Sequence, residues 1–134
     1  MKFAKALAKL KVIERTAVGI MGFNSPEWGI AFIGAMMYNC VNTGIYITNA
    51  AEACVYQADH SEAEVIIVET NEMLSRFSAN LDKLPKVKAI IVYGEASLPT
   101  DMNSDVGKKI ILWRDFMNLG NSVGDEVIFE KMNR

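Results

Sequence analysis

Three short apolar runs constrain the fold most strongly, because the apolar residues within each run are consecutive and do not alternate with polar ones. The runs are Thr16–Phe23, Glu64–Glu69 and Val87–Tyr93. Consecutive apolar residues predict strands that are covered on both faces, as in a parallel sheet. Helical patterns separate the runs, and this alternation predicts an α/β fold with a layered, mostly parallel sheet, flanking helices and right-handed crossovers.

Helix-start signals follow the first run and recur along the chain. Ser25 and Pro26 form an N-cap and first helical residue, which predicts a helix from Pro26 to about Tyr38. Asn49-Ala50-Ala51-Glu52 resembles a capping box, which predicts a second helix that ends near His60.

A third helix is predicted after Thr70, which we expect to be its N-cap. Its apolar residues are spaced three or four apart, and Pro85 stops the pattern. The remaining predicted elements are an amphipathic helix at Met1–Leu10, short strands at Gly44–Ile47 and Ile110–Leu112, a loop at Gly94–Lys109, a helix at Arg114–Leu119 and a helical tail at Gly124–Arg134.

The charge balance excludes a nucleic-acid partner. The 134 residues contain 14 Lys and Arg against 16 Asp and Glu, with a formal charge of −2 and no dense basic stripe. A nucleic-acid surface needs such a stripe to neutralise phosphates. With 51% hydrophobic residues, the chain has the composition of one soluble globular domain, and we expect a cytoplasmic protein.

Cysteine and histidine are too few for the common metal and redox sites. Cys40, Cys54 and His60 are the only thiols and imidazole, which excludes a four-ligand zinc site of these residue types and a disulfide scaffold. Cys54 and His60 lie six residues apart on one predicted helix, a spacing that does not place them on one face. We therefore expect no nucleophile and base pair here.

The segment Trp28–Ala51 contains no charged residue and is long enough to cross a bilayer. Its glycine and asparagine residues favour a buried helix followed by a turn and a short strand. Met1–Leu10 is basic and acid-poor, as presequences are, but it lacks their Arg and Ser. We expect an ordinary surface helix there and at most peripheral contact with intracellular membranes.

The predicted fold indicates where a ligand site would lie, because parallel sheets bind ligands beyond the carboxyl ends of their strands. The residues expected there are Asn24, Ser25, Thr70 and Gly94. Gly19 and Gly22 near the first strand end do not form a dinucleotide or phosphate loop motif. The residues themselves therefore indicate no chemistry at this edge.

Four segments together resemble AMP-forming acyl-CoA synthetases, most closely the bubblegum-type long-chain fatty-acid ligases. They occur in the order and spacing of that family, and the resemblance covers essentially the whole chain. The most specific pieces are Gly22–Trp28 (GFNSPEW) and Gly44–Asn49 (GIYITN). The four segments are Val18–Met37, Gly44–Glu69, Leu81–Gly94 and Leu112–Glu126.

The resemblance implies a two-step reaction in the complete enzyme. A fatty carboxylate attacks the α-phosphate of ATP to give acyl-adenylate and pyrophosphate, and the thiol of CoA then displaces AMP; Mg²⁺ and cationic groups neutralise charge. The family's phosphate loop, Tyr-Gly-x-Thr-Glu motif, ribose-binding Asp and C-terminal Lys have no counterparts in this sequence. Tyr93-Gly94-Glu95 resembles the second motif only superficially, because the Thr-Glu pair is absent.

No catalytic, cofactor-binding or metal-binding residue can therefore be assigned to this chain from the resemblance. Residues 1–134 are expected to be part of the larger N-terminal adenylate-forming domain, upstream of the phosphate loop, and inactive in isolation. The alternative is a non-catalytic interaction module, or a truncated gene product, that pairs with a full-length ligase. Either way, a lobe without its parent sheet is expected to expose apolar faces and to self-associate.

Overall fold

A computed structural model describes residues 1–99 and 109–133 of the chain. Five strands form one sheet in the order β2-β1-β3-β4-β5, and all four neighbouring pairs are parallel. This confirms the predicted α/β fold with a parallel sheet. The strands are β1 Ala17–Met21, β2 Val41–Gly44, β3 Ala63–Val68, β4 Ala89–Val92 and β5 Lys109–Leu112.

Helices cover both faces of the sheet. On one face α1, α2, α5 and α6 pack against Val18, Ile20, Val65 and Ile67. On the other face α3 and α4 pack against Met21, Ile66 and Val68. The helices are α1 Lys2–Lys9, α2 Pro26–Met37, α3 Ala51–His60, α4 Asn71–Ser78, α5 Trp113–Leu119 and α6 Asp125–Met132. Within the described residues, no helix has both the length and the apolarity needed to cross a membrane.

Two predicted helix caps are confirmed. The Oγ of Ser25 accepts a hydrogen bond from Trp28 N at 3.1 Å, and Pro26 begins α2. The Oγ1 of Thr70 accepts one from Met73 N at 3.1 Å and begins α4. Each side chain satisfies a backbone N–H that the helix leaves without an internal partner.

The prediction of a strand at Gly44–Ile47 is wrong, because β2 is Val41–Gly44. Asn39, at φ 61°, ends α2 in the left-handed region, and the chain pairs with β1 two residues later. Since β2 lies at the edge of the sheet, it is only partly covered and needs no apolar run.

The predicted capping box at Asn49 is also wrong. Ala50 is the N-cap of α3 and makes no side-chain cap bond. The Nδ2 of Asn49 instead donates to Gln57 Oε1 at 3.0 Å, while its carbonyl accepts from Arg76 Nη1. Asn49 is thus held by side chains of two helices and is not free to cap one.

The third predicted helix is shorter than its apolar pattern. α4 ends at Ser78, and a separate 3-10 turn at Leu81–Lys83 carries the pattern on to Pro85. Leu81 and Leu84 are nevertheless buried against the same core as α4. Of the predicted loop at Gly94–Lys109, residues 100–108 lie outside the described residues.

A buried carboxylate ties the amino ends of the strands together. Glu64 is 4% exposed, and its Oε2 accepts hydrogen bonds from Ile13 N and Thr16 Oγ1, both at 2.8 Å. Its Oε1 forms an ion pair with Lys88 Nζ at 2.9 Å, and Lys88 also donates to the Lys11 carbonyl. The loop between α1 and β1 is therefore anchored to β3 and to the start of β4.

The pH dependence of stability should report this carboxylate. Burial raises the pKa of Glu64, but hydrogen bonds from Lys88, Ile13 N and Thr16 outweigh burial, so the pKa lies below its ordinary value of 4.5. Such a group contributes stability above its unfolded pKa, and the contribution is lost as the pH falls through its folded pKa. We expect urea melts to show this loss below about pH 4.5, and Glu64→Gln to remove that part of the pH dependence. An unchanged pH profile in the variant would contradict the assignment.

Candidate functional site

The loops that follow β1, β3 and β4 meet at the carboxyl edge of the sheet. Phe23 N donates to the Oε1 of Glu69 at 3.3 Å, and Gly94 N donates to the Glu69 carbonyl at 2.7 Å. The hydroxyl of Tyr93 donates to the Phe23 carbonyl at 3.1 Å. Glu69 and Tyr93 thus join the three loops into one surface.

Tyr93 directly follows β4, and its hydroxyl reaches Phe23 and Gly22 in the loop after β1. A Cβ atom added to Gly22 would lie 2.0 Å from the Tyr93 hydroxyl, so only glycine leaves room for the phenol. Burial raises the pKa of Tyr93 and outweighs a hydrogen bond with Ser25 that lowers it, and the nearby carboxylates of Glu69 and Glu27 raise it further. The phenol is therefore neutral at physiological pH.

An open cleft of about 590 Å³ lies beside it, beyond the ends of β1 and β2. Trp28 stands on one wall, where its ring stacks on Phe32 with centroids 5.5 Å apart. Tyr46, which is exposed, lies in the loop that follows β2. The nine described lining residues are Ile20, Gly22, Asn24, Trp28, Gly44, Ile45, Tyr46, Ile47 and Gln57.

The loop after β2 is held in place by polar contacts from two helices. Gln57 of α3 donates to the Gly44 carbonyl at 3.3 Å. Arg76 of α4 donates to the carbonyls of Ile47 and Asn49 and forms an ion pair with Glu72 at 2.7 Å. The wall of the cleft is thus fixed to the α3 and α4 layer.

The expected site residues are brought to one edge of the sheet, but they do not form one site. Asn24 lines the cleft, and Ser25 caps α2 beside it. Thr70 caps α4, and Gly94 packs against Glu69 on the other side of Tyr93. Sequence reasoning missed Tyr46 and Gln57, although Tyr46 belongs to the GIYITN segment that stood out as specific.

Neither thiol forms a catalytic pair. Cys54 is buried and donates to the Asn49 carbonyl, whereas His60 is exposed and stacks on Tyr56. Cys40 is buried and its Sγ lies 3.9 Å from the Ile13 carbonyl. The two groups of the hypothetical pair thus face different surroundings.

Thiol labelling checks this burial. Burial raises the pKa of Cys40 to about 11 and also raises the pKa of Cys54, so both thiols stay protonated at neutral pH. We expect Ellman's reagent to leave the folded chain unlabelled and to detect both thiols in denaturant. Rapid labelling of either thiol in the folded chain would contradict the structure.

A family model described as AMP-binding enzyme matches residues 1–118. The chain belongs to this family. The match covers the whole sheet, both helix layers as far as α5, and the cleft.

Curated relatives of the family are long-chain-fatty-acid–CoA ligases. The chain is 42% identical over 123 residues to ACSBG2 of Rattus norvegicus, covering 91% of the chain and 18% of the relative. It is 40% identical over 122 residues to ACSBG2 of Xenopus laevis, covering 91% and 16%, and 36% identical over 125 residues to ACSBG1 of Homo sapiens, covering 93% and 16%. The chain thus spans less than a fifth of the length of these relatives.

Solved structures of adenylate-forming enzymes share the fold. The anthranilate CoA ligase AuaEII in complex with anthranoyl-AMP superposes with a TM-score of 0.72 at 23% identity, covering 87% of this chain and 21% of that chain. The A-PCP didomain of the carboxylic acid reductase from Segniliparus rugosus in complex with AMP has a TM-score of 0.71 at 11% identity, covering 92% and 20%. These similarities establish the architecture.

ATP, which the family uses, and Mg²⁺, which the sequence resemblance implies, do not fit the cleft. None of its nine described lining residues is charged, so no side-chain cation faces a triphosphate there. Among residues 1–99 and 109–133, no three His, Cys, Asp or Glu side chains are grouped to hold a metal ion. The cleft can receive an uncharged group, but it offers no acid, base or cation for adenylation.

Proposed function

We propose that this chain is part of an ATP-dependent long-chain fatty-acid–CoA ligase, which converts fatty acid, ATP and CoA into acyl-CoA, AMP and pyrophosphate. The observation that carries the proposal is 36–42% identity to ACSBG1 and ACSBG2 ligases over at least 91% of the chain. The fatty acid, ATP and CoA are substrates of the whole enzyme, which works in the cytoplasm and touches intracellular membranes peripherally.

The role of residues 1–134 within the enzyme is structural. They form a partial AMP-binding domain upstream of the phosphate loop. We assign no catalytic residue, cofactor ligand or metal ligand to them. The uncharged cleft supports this role, because adenylation needs groups that neutralise phosphate charge. The chain alone is therefore inactive.

The test is fatty-acid-dependent exchange of pyrophosphate into ATP. The purified 134-residue chain should give no exchange above a sample without protein, while rat ACSBG2, assayed alongside, should give it. Exchange by the chain that survives further purification and requires fatty acid would overturn the structural role.

The alternative function is a non-catalytic module that pairs with a full-length ligase, and the exposed apolar side chains of α2 favour it. The intact mass of the endogenous polypeptide, captured through Gly22–Trp28, separates the two. A mass several times 14.9 kDa supports the ligase, whereas a mass near 14.9 kDa, with full-length ligase in the same capture, supports the module.

A further inference from the structure

One flank of the domain, formed by α2 from Trp28 onwards and by β2, carries no charged residue. No charged residue occurs between Glu27 and Glu52. β2 is the last strand of the sheet, and α2 packs over β1 and β2 at the outer side of its layer. We refer to the outer side of α2 from Trp28 to Met37 together with the edge of β2 as the uncharged flank.

After Glu27 in its first turn, α2 is apolar on all sides, not only on the side that faces the core. Ala31, Gly34 and Ala35 form its buried side, and Gly34 packs directly on Phe3 of α1. On the remaining surface, Ile33 is 61% exposed and Met36 is 56% exposed. A helix that is hydrophobic all round is normally buried on all sides.

The edge of β2 also lacks the devices that protect sheet edges. Val41 N donates to Thr16 O and Ile45 N donates to Ile20 O, so these residues face β1. By the alternation of a parallel ladder, the backbone N–H and C=O of Asn42 face away from the sheet. Val41 is 57% exposed, and no lysine, proline or bulge of β2 blocks an added strand.

We propose that the uncharged flank is the surface through which the chain binds a second copy of itself. Antiparallel pairing about a two-fold axis at Asn42 lets each copy exchange both N–H···O bonds with the other. The same axis brings the exposed apolar side chains of the two α2 helices together. Because the flank has no charged residue, two identical flanks meet without like-charge repulsion. A partner selected by charge would instead require charged residues on the flank.

The test is sedimentation velocity of the 134-residue chain over a wide concentration range. We expect reversible conversion between 14.9 kDa and twice that mass. Ile33→Lys and Val41→Lys each place two lysines in the dimer, one per copy, and should each raise the dimer Kd at least about tenfold. Circular dichroism melts establish that the variants remain folded.

Ile13→Lys is the matched control. Ile13 is 62% exposed, close to the value for Ile33, but it lies in the loop before β1, where its N–H donates to Glu64 of β3. The Ile13→Lys substitution should leave the dimer Kd unchanged. A chain that stays monomeric at every concentration, association beyond a dimer, or a folded Ile33→Lys and Val41→Lys pair with unchanged Kd would each overturn the proposal.

This inference goes beyond the proposed function, and the two can fail independently. Sedimentation requires no ATP, fatty acid or CoA, so its result does not depend on whether the chain belongs to an active ligase. A flank that binds only the remainder of a full-length ligase would appear as a monomer here, and that outcome contradicts the self-association.

Discussion

Glu64→Gln is expected to lower the free energy of unfolding by about 2–4 kcal/mol, the largest single effect we predict. All three groups that contact the carboxylate are donors: Lys88 Nζ, Ile13 N and Thr16 Oγ1. An amide has one acceptor oxygen, so whichever way it is oriented, its NH₂ faces a donor. The effect lies below that of a fully buried ion pair because Lys88 is 37% exposed and solvent screens it.

Urea denaturation at neutral pH measures this loss, and Glu62→Gln is its control. Glu62 lies two residues away but is exposed, so the same change of chemistry should alter the free energy of unfolding by less than about 0.5 kcal/mol. Equal effects of the two substitutions would show that Glu64 does not anchor the loop before β1.

Gly34→Ala is expected to destabilise the chain by about 1–3 kcal/mol through overpacking. The added Cβ would lie 2.6 Å from Cδ1 of Phe3 and 2.7 Å from its Cβ. Phe3 cannot move aside easily, because it is fully buried and packs against Phe116 at 5.1 Å and Trp113 at 5.8 Å. The close contact between α1 and α2 should therefore open.

Gly29→Ala is the matched control on the same helix. A Cβ at Gly29 would meet nothing within 4 Å, so alanine there brings only its better helix propensity, worth up to about 1 kcal/mol of stability. The two substitutions should thus have opposite signs in thermal or urea melts. The same sign for both would contradict the packing of α2 on α1.

The sequence predicts the central strands well and the edge strand β2 poorly, for one physical reason. β1, β3 and β4 are buried on both faces, so nearly all of their residues are apolar, with Glu64 of β3 as the charged exception. β2 is partly exposed and its residues are therefore less apolar. The strand was predicted instead at the more apolar segment Gly44–Ile47, which follows it. The end of α1 was predicted at Leu10, which is its C-cap, although Lys11 adopts φ 58° where glycine is the usual signal.

The site could be predicted only as a location. The carboxyl edge follows from parallel strands, and Asn24 indeed lies there. Its walls depend on contacts between distant residues, such as Arg76 with Ile47 and Tyr93 with Phe23, which no local pattern encodes. The comparisons confirm the family resemblance, which rested on specific strings such as GFNSPEW.

A chimera with a full-length relative tests whether residues 1–118 can serve as part of a fatty-acid–CoA ligase. Residues 1–118 would replace the matching segment of rat ACSBG2, and acyl-CoA formation from palmitate, ATP and CoA would be measured beside the parent enzyme and the isolated chain. The account predicts an inactive chain and a chimera within about tenfold of the parent, equivalent to about 1.4 kcal/mol in the barrier. A folded chimera that forms no acyl-CoA would contradict it.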